Sequence, residues 1–461
     1  MSIKVTADAI KSLLDAHFDR PTKIENLRRL SGGASRETWA FTASTDKARH
    51  DLVLRRDHGS NPGSTDRATE YELLKVVEAG GVLVPEVKFV LPPEANLGEG
   101  FVMNMIAGET IPRKILRDDE FEDARLVLAQ QCGTQAALIH QIDVTDLPAL
   151  LVLGPQEQIK QHRDLIDALG EPHPAFELGL QWLENNIPEA VEPKLVHGDF
   201  RNGNLIVGPE GLRAVLDWEL SHLGDPAEDL GWCCVRSWRF GVNDKPVGGF
   251  GSRKEMLDAY VDAGGEAIDE QRLFFWEVLG TLKWGVICEM QAFTHLSGRV
   301  RSVELATLGR RIAETEWDLL QTIYPEQVAD TKTTTPVATD TGSIHDRPRA
   351  AELLEAVREF IERDVRSSEN ERLAFHARVA MNALGIVERE LILGESIDSP
   401  IIARLGNLLD EKGSPSELVT QLSARIRAGD PKSTGHEGIA LVCDLVRAKL
   451  EVANPRYLEG E

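Results

Sequence analysis

The stretch Leu195-Val-His-Gly-Asp-Phe-Arg-Asn-Gly-Asn-Leu-Ile-Val207 decides how this chain is read. Short apolar runs flank a polar loop in which His197, Asp199 and Asn204 stand among Gly198 and Gly203. A further apolar run, residues 212–216, ends in Asp217-Trp218-Glu219. The pattern predicts strand, tight loop, strand and a neighbouring strand. Taken singly, Asp and Asn are ordinary turn formers. As a set they fit phosphoryl transfer from ATP. That reaction needs one carboxylate to orient and deprotonate the attacking hydroxyl, and an amide oxygen and a second carboxylate to hold the magnesium that bridges the phosphates. The Asp-x4-Asn spacing puts base and metal ligand on one loop, and the later Asp brings its ligand from the next hairpin. Asp199 is therefore read as the general base, and Asn204 and Asp217 as Mg2+ ligands. Hard oxygen donors suit Mg2+, which keeps several waters and needs few protein groups.

His197-Gly-Asp-Phe-Arg-Asn-Gly-Asn204 with Leu216-Asp-Trp-Glu219 resembles the aminoglycoside phosphotransferase and choline kinase superfamily, relatives of the protein kinases. The run Leu216-Asp-Trp-Glu-Leu-Ser-His-Leu-Gly-Asp-Pro-Ala-Glu-Asp-Leu-Gly-Trp232 is similar to one branch of it. That branch holds the hydroxyacyl-CoA kinases and the kinase domains fused to some acyl-CoA dehydrogenases. The resemblance covers residues 20–325. It implies an α+β, bilobal protein-kinase-like fold: a kinase-like domain at 1–325, with a strand-rich N-lobe at 20–107 and a helical C-lobe at 108–325. ATP and Mg2+ are the implied cofactors, and a hydroxyacyl-CoA the implied acceptor. The last would be a 4-hydroxyacyl thioester in hydroxy- or keto-acid catabolism. Gly198 stands where protein kinases carry an Arg, which suits a small-molecule kinase.

Upstream, Ser31-Gly-Gly-Ala-Ser35 joins two predicted strands. Ahead of the Asp-x4-Asn loop it reads as a nucleotide loop, with Gly32, Gly33 and Ser35 offering backbone N–H groups to phosphate; a plain turn is the alternative. On the next strand the superfamily carries a Lys that contacts the phosphates and pairs with a Glu on the following helix. Here that place holds Arg55, with Arg56 beside it. Arg is a fixed cation with a fork suited to phosphate, but is not equivalent to Lys. Two solvated arginines at a strand end are the other reading. Glu70 is the expected partner of Arg55, with Glu72 its rival. By resemblance, backbone groups of Asn104, Met105 and Ile106 form the hinge that holds adenine. The same apolar run would also suit a buried strand with no ligand.

His140, on a helical pattern, reads as a packed or capping residue. His197 supports the loop. Arg201 faces either the phosphoryl group or a nearby carboxylate, and Glu219 is a supporting residue that could reach a second metal. Residues 218–284 are rich in Trp, with Arg and Lys interspersed. In the superfamily this region is the acceptor wall, and an aromatic, basic surface could take parts of CoA. A Trp-rich core with ordinary surface arginines is the bland alternative.

Residues 326–346 read as a linker, low in large apolar residues where it is rich in Thr. Residues 347–461 read as an all-helical accessory domain that packs on the kinase domain, starting at Asp346 and Pro348. Residues 347–360 resemble small helical partner proteins of hydroxyacyl-CoA kinases. At 461 residues the chain exceeds one ordinary core. Its formal net charge of −24 argues against nucleic acid or an anionic membrane surface as partner. Five scattered cysteines without C-x-x-C spacing suggest reduced thiols in a cytoplasmic protein. A homodimer is compatible with the sequence. Two other readings stand: a kinase of the aminoglycoside or choline type, and a nucleotide-binding pseudokinase scaffold.

Overall fold

The computed structural model describes residues 5–30, 36–57, 66–95, 97–331, 350–368 and 370–459. The chain divides into two compact units, Met1–Gly154 with Glu189–Glu277, and Pro155–Pro188 with Val278–Glu461. The division falls within the helix Glu270–Leu296.

In the first unit β1 (Lys23–Arg29), β2 (Arg36–Ser44), β3 (Arg49–Asp57), β4 (Val87–Val90) and β5 (Gly100–Asn104) form one sheet in the order β1-β2-β3-β5-β4. All its pairings are antiparallel. Side chains alternate between the faces of a strand, and β3 shows what this achieves. Leu52 and Leu54 join Phe41, Ala43 and Val102 in a core closed by Ile10, Leu13 and Leu14 of the helix Ala7–Phe18. Thr6 caps that helix, its Oγ1 accepting the Ala9 N–H. Val53 joins Phe101 and Met103 in a second core with Leu73, Leu74 and Val77 of the helix Arg67–Ala79. Arg55, two residues beyond Val53, shares its face. Arg56 takes the opposite face, where it bonds Glu37 and the Leu97 carbonyl.

Asp66 caps the helix Arg67–Ala79 by accepting the Ala68 and Thr69 N–H groups. Its buried residues Arg67, Glu70, Leu73, Leu74 and Val77 recur at helical spacing. Below the sheet in sequence come the helix Glu122–His140, then β6 (Lys194–Val196), β7 (Leu205–Gly208), β8 (Gly211–Val215) and β9 (His222–Gly224). β6 pairs with β9 and β7 with β8, so the polar loop sits between two small antiparallel ribbons.

The second unit is helical. Leu178 of the helix Pro174–Asn185, and Trp317 and Leu320 of Ile312–Ile323, share a core with Ile397, Leu405, Leu422, Val442 and Val446. Helices read as C-lobe and helices read as accessory domain thus have one core. Buried Glu316 accepts both 2.9 and 3.0 Å bonds from Lys449 and a third from His173. Burial alone would raise Glu316, but Lys449 and His173 prevail and hold it at about 2. One helix runs Glu371–Leu409 through Pro400. Proline removes a backbone donor there, yet Ile397, Ile401 and Leu405 are buried on one face across it, and that burial carries the helix on. Pro325–Ala329, within or beside the expected linker, is helical; residues 332–349 lie outside the described residues. Among the described residues no helix is long and apolar enough to cross a membrane.

The helices Glu122–His140 and Arg253–Asp262 meet at Gly133, where a Cβ would lie 2.1 Å from the Met256 carbonyl oxygen. Gly133→Ala is therefore expected to destabilise the protein by about 1–3 kcal/mol through overpacking. A lowered urea midpoint would show it; an unchanged midpoint would contradict this packing.

Candidate active site

The loop 197–204 leaves β6 and enters β7. Gly198 adopts φ 78°, and a Cβ there would lie 2.4 Å from the Leu220 carbonyl oxygen. Only glycine meets both demands. Beneath the loop, fully buried Asp229 accepts the His197 N–H at 2.8 Å and the Gly198 N–H at 2.9 Å. His140 Nε2 lies 3.1 Å from the same carboxylate, and its Nδ1 lies 3.0 Å from the Tyr260 hydroxyl. Burial alone would raise Asp229, but its hydrogen bonds with His140 and the His197 N–H outweigh it and keep the carboxyl below its ordinary value. His140 is thus a packed support, away from the loop's reactive face.

His197 Nε2 faces the Leu216 carbonyl oxygen at 3.0 Å, and its Nδ1 receives the Asp199 N–H at 3.1 Å. A carbonyl can only accept and an N–H can only donate, so the ring is neutral with its proton on Nε2. Burial holds its pKa below the ordinary value, against the pull of Asp229, Asp199 and Asp217.

Asp199 is the meeting point of three donors. Its Oδ1 accepts Arg201 Nε–H at 2.9 Å and Trp232 Nε1–H at 2.8 Å, and its Oδ2 accepts Asn204 Nδ2–H at 2.6 Å. Asn204 Nδ2 also donates to the Asp199 carbonyl at 3.0 Å. Both partners are acceptors, which fixes the amide orientation. Asn204 Oδ1 makes no hydrogen bond among the described residues. Of the two readings of Arg201, the structure shows the carboxylate, and the guanidinium carbon lies 4.2 Å from the centre of the Trp238 ring.

Asp217 follows β8 with left-handed backbone, φ 71°. The Leu216 N–H bonds the Asn204 carbonyl at 2.7 Å, which ties this turn to the loop. Arg55 NH2 bonds Asp217 Oδ1, and lies 3.5 Å from Glu70 and 3.9 Å from Glu219. Arg55 is thus a bridge between the helix Arg67–Ala79 and the Asp217 turn, not a solvated strand end. Glu70 is buried there, whereas Glu72 pairs with Lys75 at the surface. Arg67 adds a second cation: it bonds Asp57 at 2.8 Å, pairs with Glu70, and stands 3.9 Å from Glu219. Burial and then Arg55 lower its pKa.

Gly32, Gly33 and Ser35 lie outside the described residues. In the expected hinge, the Asn104 N–H bonds the Glu86 carbonyl at 2.8 Å and the Met105 N–H bonds the Asp51 carbonyl at 2.9 Å. The Asn104 side chain bonds Glu86. Both N–H groups serve the sheet, so among these three residues Ile106 keeps the donor not used there. Of Asp229, Trp232 and Arg67, the sequence pointed only to Trp232, as one tryptophan of the expected acceptor wall. The first two lie three apart in the run ending at Trp232, one helical turn on one face, and Arg67 stands three before Glu70. Helical spacing was the signal available.

The fold is that of a protein-kinase-like phosphotransferase. The family described as the phosphotransferase enzyme family matches residues 26–272, and the chain belongs to it. A domain of unknown function (DUF6285) matches residues 367–457. The chain is similar to mouse acyl-CoA dehydrogenase family member 10, 31% identical over 49% of this chain and 21% of that protein. It is also similar to chicken acyl-CoA dehydrogenase family member 11, 26% identical over 78% of this chain and 48% of that one. It therefore spans less than half the length of either relative. A solved Ralstonia eutropha structure, provisionally described as an aminoglycoside phosphotransferase, shares the fold. It has a TM-score of 0.53 and 21% identity, over 69% of this chain and 98% of that one.

Because His197 is depressed in the folded state, the unfolded chain takes up its proton first as pH falls. The contribution of the neutral ring is full above about pH 6.5 and is lost as pH falls below that value. His197→Gln keeps a donor for Leu216 and removes the titration. The melting-temperature difference between wild type and variant should shrink from about pH 7.5 to about pH 5.5. A pH-independent difference would mean that the ring is not held neutral.

Proposed function

We propose that this chain is an ATP-dependent kinase that transfers the γ-phosphate to a hydroxyl of a small molecule, and that the acceptor is a 4-hydroxyacyl-CoA. The observation that carries the proposal is the convergence of Asp199, Asn204, Asp217, Arg55 and Glu70. Asp199 orients the acceptor hydroxyl and takes its proton. The hydroxyl oxygen then bonds the γ-phosphorus as the bond from phosphorus to the β–γ bridging oxygen breaks, and ADP leaves with that electron pair. Arg55 Nε is buried without a hydrogen-bond partner among the described residues, which leaves a donor for a phosphate oxygen. Glu70 holds the guanidinium in place. The Ile106 N–H is the hinge donor proposed for adenine, and Gly32, Gly33 and Ser35 the phosphate loop.

The donor set suits Mg2+: the unengaged Asn204 Oδ1 and the Asp217 carboxylate are hard oxygens at adjoining turns. When bound, the ion would neutralise charge on the transferring phosphates. Glu219 lies 3.9 Å from both Arg55 and Arg67 and, among the described residues, is one of four carboxylates around these two cations.

Two observations support the CoA reading. The relatives named above are acyl-CoA dehydrogenase family members, and this chain joins the kinase to a helical module that resembles the small partner proteins of hydroxyacyl-CoA kinases. Beside Asp199, moreover, the side chains are a guanidinium and indoles. Aminoglycosides and choline are cations and would be better served by carboxylates there. Phosphorylating a 4-hydroxyl turns a poor leaving group into a good one. The presence of Asp199, Asn204 and Asp217 together favours an active enzyme over a scaffold.

Mass spectrometry of reactions with Mg-ATP and, separately, 4-hydroxyacyl-CoAs, choline and aminoglycosides tests this. The expected product is a phosphorylated acyl-CoA, formed about 10²–10⁴-fold more slowly by Asp199→Asn. Turnover of choline or an aminoglycoside alone would sink the CoA assignment. ATP binding with no phosphorylated product would sink the kinase reading.

A further inference from the structure

An ionised carboxylate offers about four lone-pair positions, two on each oxygen. At Asp199 three are in use. Both positions of Oδ1 are taken, by Trp232 Nε1–H at 2.8 Å and Arg201 Nε–H at 2.9 Å. Oδ2 takes Asn204 Nδ2–H at 2.6 Å and keeps one. Resting on the reading of Asp199 as base, we propose that the acceptor proton is received at Oδ2 and that Trp232 is the positioning residue that fixes this choice of oxygen.

Trp232 is well placed for that work. It is buried on the helix Ala227–Cys234, one turn beyond Asp229. That one helix therefore grips the loop backbone through Asp229 and the Asp199 side chain through Trp232. The two donors to Oδ1 are also held together. The Trp238 ring lies 5.2 Å from the Trp232 ring at 60°, and it supports the Arg201 guanidinium at 4.2 Å. A half-turn of the carboxylate would bring Oδ2 to this pair and offer Oδ1 to Asn204. Two geminal anchors on one oxygen, against one on the other, set the reacting atom when the rest of the loop is fixed. Three donors fix the orientation of the carboxylate. That suits a loose phosphoryl transfer, in which positioning matters more than basicity.

Trp232→Phe keeps an aromatic ring and removes the N–H. The expected result is a kcat lowered about tenfold with KM for ATP unchanged. A purely structural role would lower the melting temperature and leave kcat unchanged, which would overturn the proposal. A second measurement needs no acceptor. In 15N-tryptophan-labelled full-length protein, the Trp232 indole signal is assigned by its loss in Trp232→Phe. Asp199→Asn replaces a charged acceptor with a neutral one, so this indole proton should move upfield more than those of the other tryptophans. An unmoved signal would overturn the proposal. If the signal moves yet no acceptor is phosphorylated, the kinase reading fails while the hydrogen bond stands.

Discussion

The site depends on the grip of the buried Asp229 carboxylate on the His197 and Gly198 N–H groups. A buried carboxylate is costly unless its lone pairs are met, and here two backbone donors and His140 meet them. This explains why a loop with two glycines at positive φ can be rigid. Its entry is held from below by Asp229, its exit by the bond from Leu216 to the Asn204 carbonyl, and its middle by Asn204 on Asp199. Asp199 then has little freedom left, which is the condition for catalysis by positioning.

Across from the loop, Arg55 performs the complementary task. Period-2 alternation along β3 sends it to the face of Val53, toward Glu70 and Asp217, and sends Arg56 the other way to Glu37. One residue of register slip would exchange them and leave the Asp217 turn without its cation. Arg67 thickens this charge node, so that two arginines stand among Asp57, Glu70, Asp217 and Glu219.

Much of this was legible in the sequence for local reasons. Apolar runs and turn residues outlined the loop and its ribbons, and Asp-x4-Asn followed by Asp217 pointed to the phosphotransferase family. Glu70 was preferred to Glu72, and the structure buries the one and exposes the other. What could not be read was non-local. Asp229 and Trp232 act on atoms some 30 positions earlier in the chain, which no window of sequence relates. The hinge N–H groups of Asn104 and Met105 are used by β-sheet neighbours that only pairing reveals. Pro400 lies inside one helix because Ile397, Ile401 and Leu405 bury one face across it. The core joining Leu178, Trp317 and Val446 likewise unites segments that composition had put on either side of a linker.

In the proposed kinase, Asn204 and Asp217 hold the divalent cation that accompanies the nucleotide phosphates. Electron paramagnetic resonance of Mn2+, titrated with and without a non-hydrolysable ATP analogue, tests it most directly in the wild type, Asn204→Ala and Asp217→Ala. The account predicts a nucleotide-dependent Mn2+ site in the wild type that is lost in either variant. Equal Mn2+ binding by all three proteins in the presence of nucleotide would contradict it.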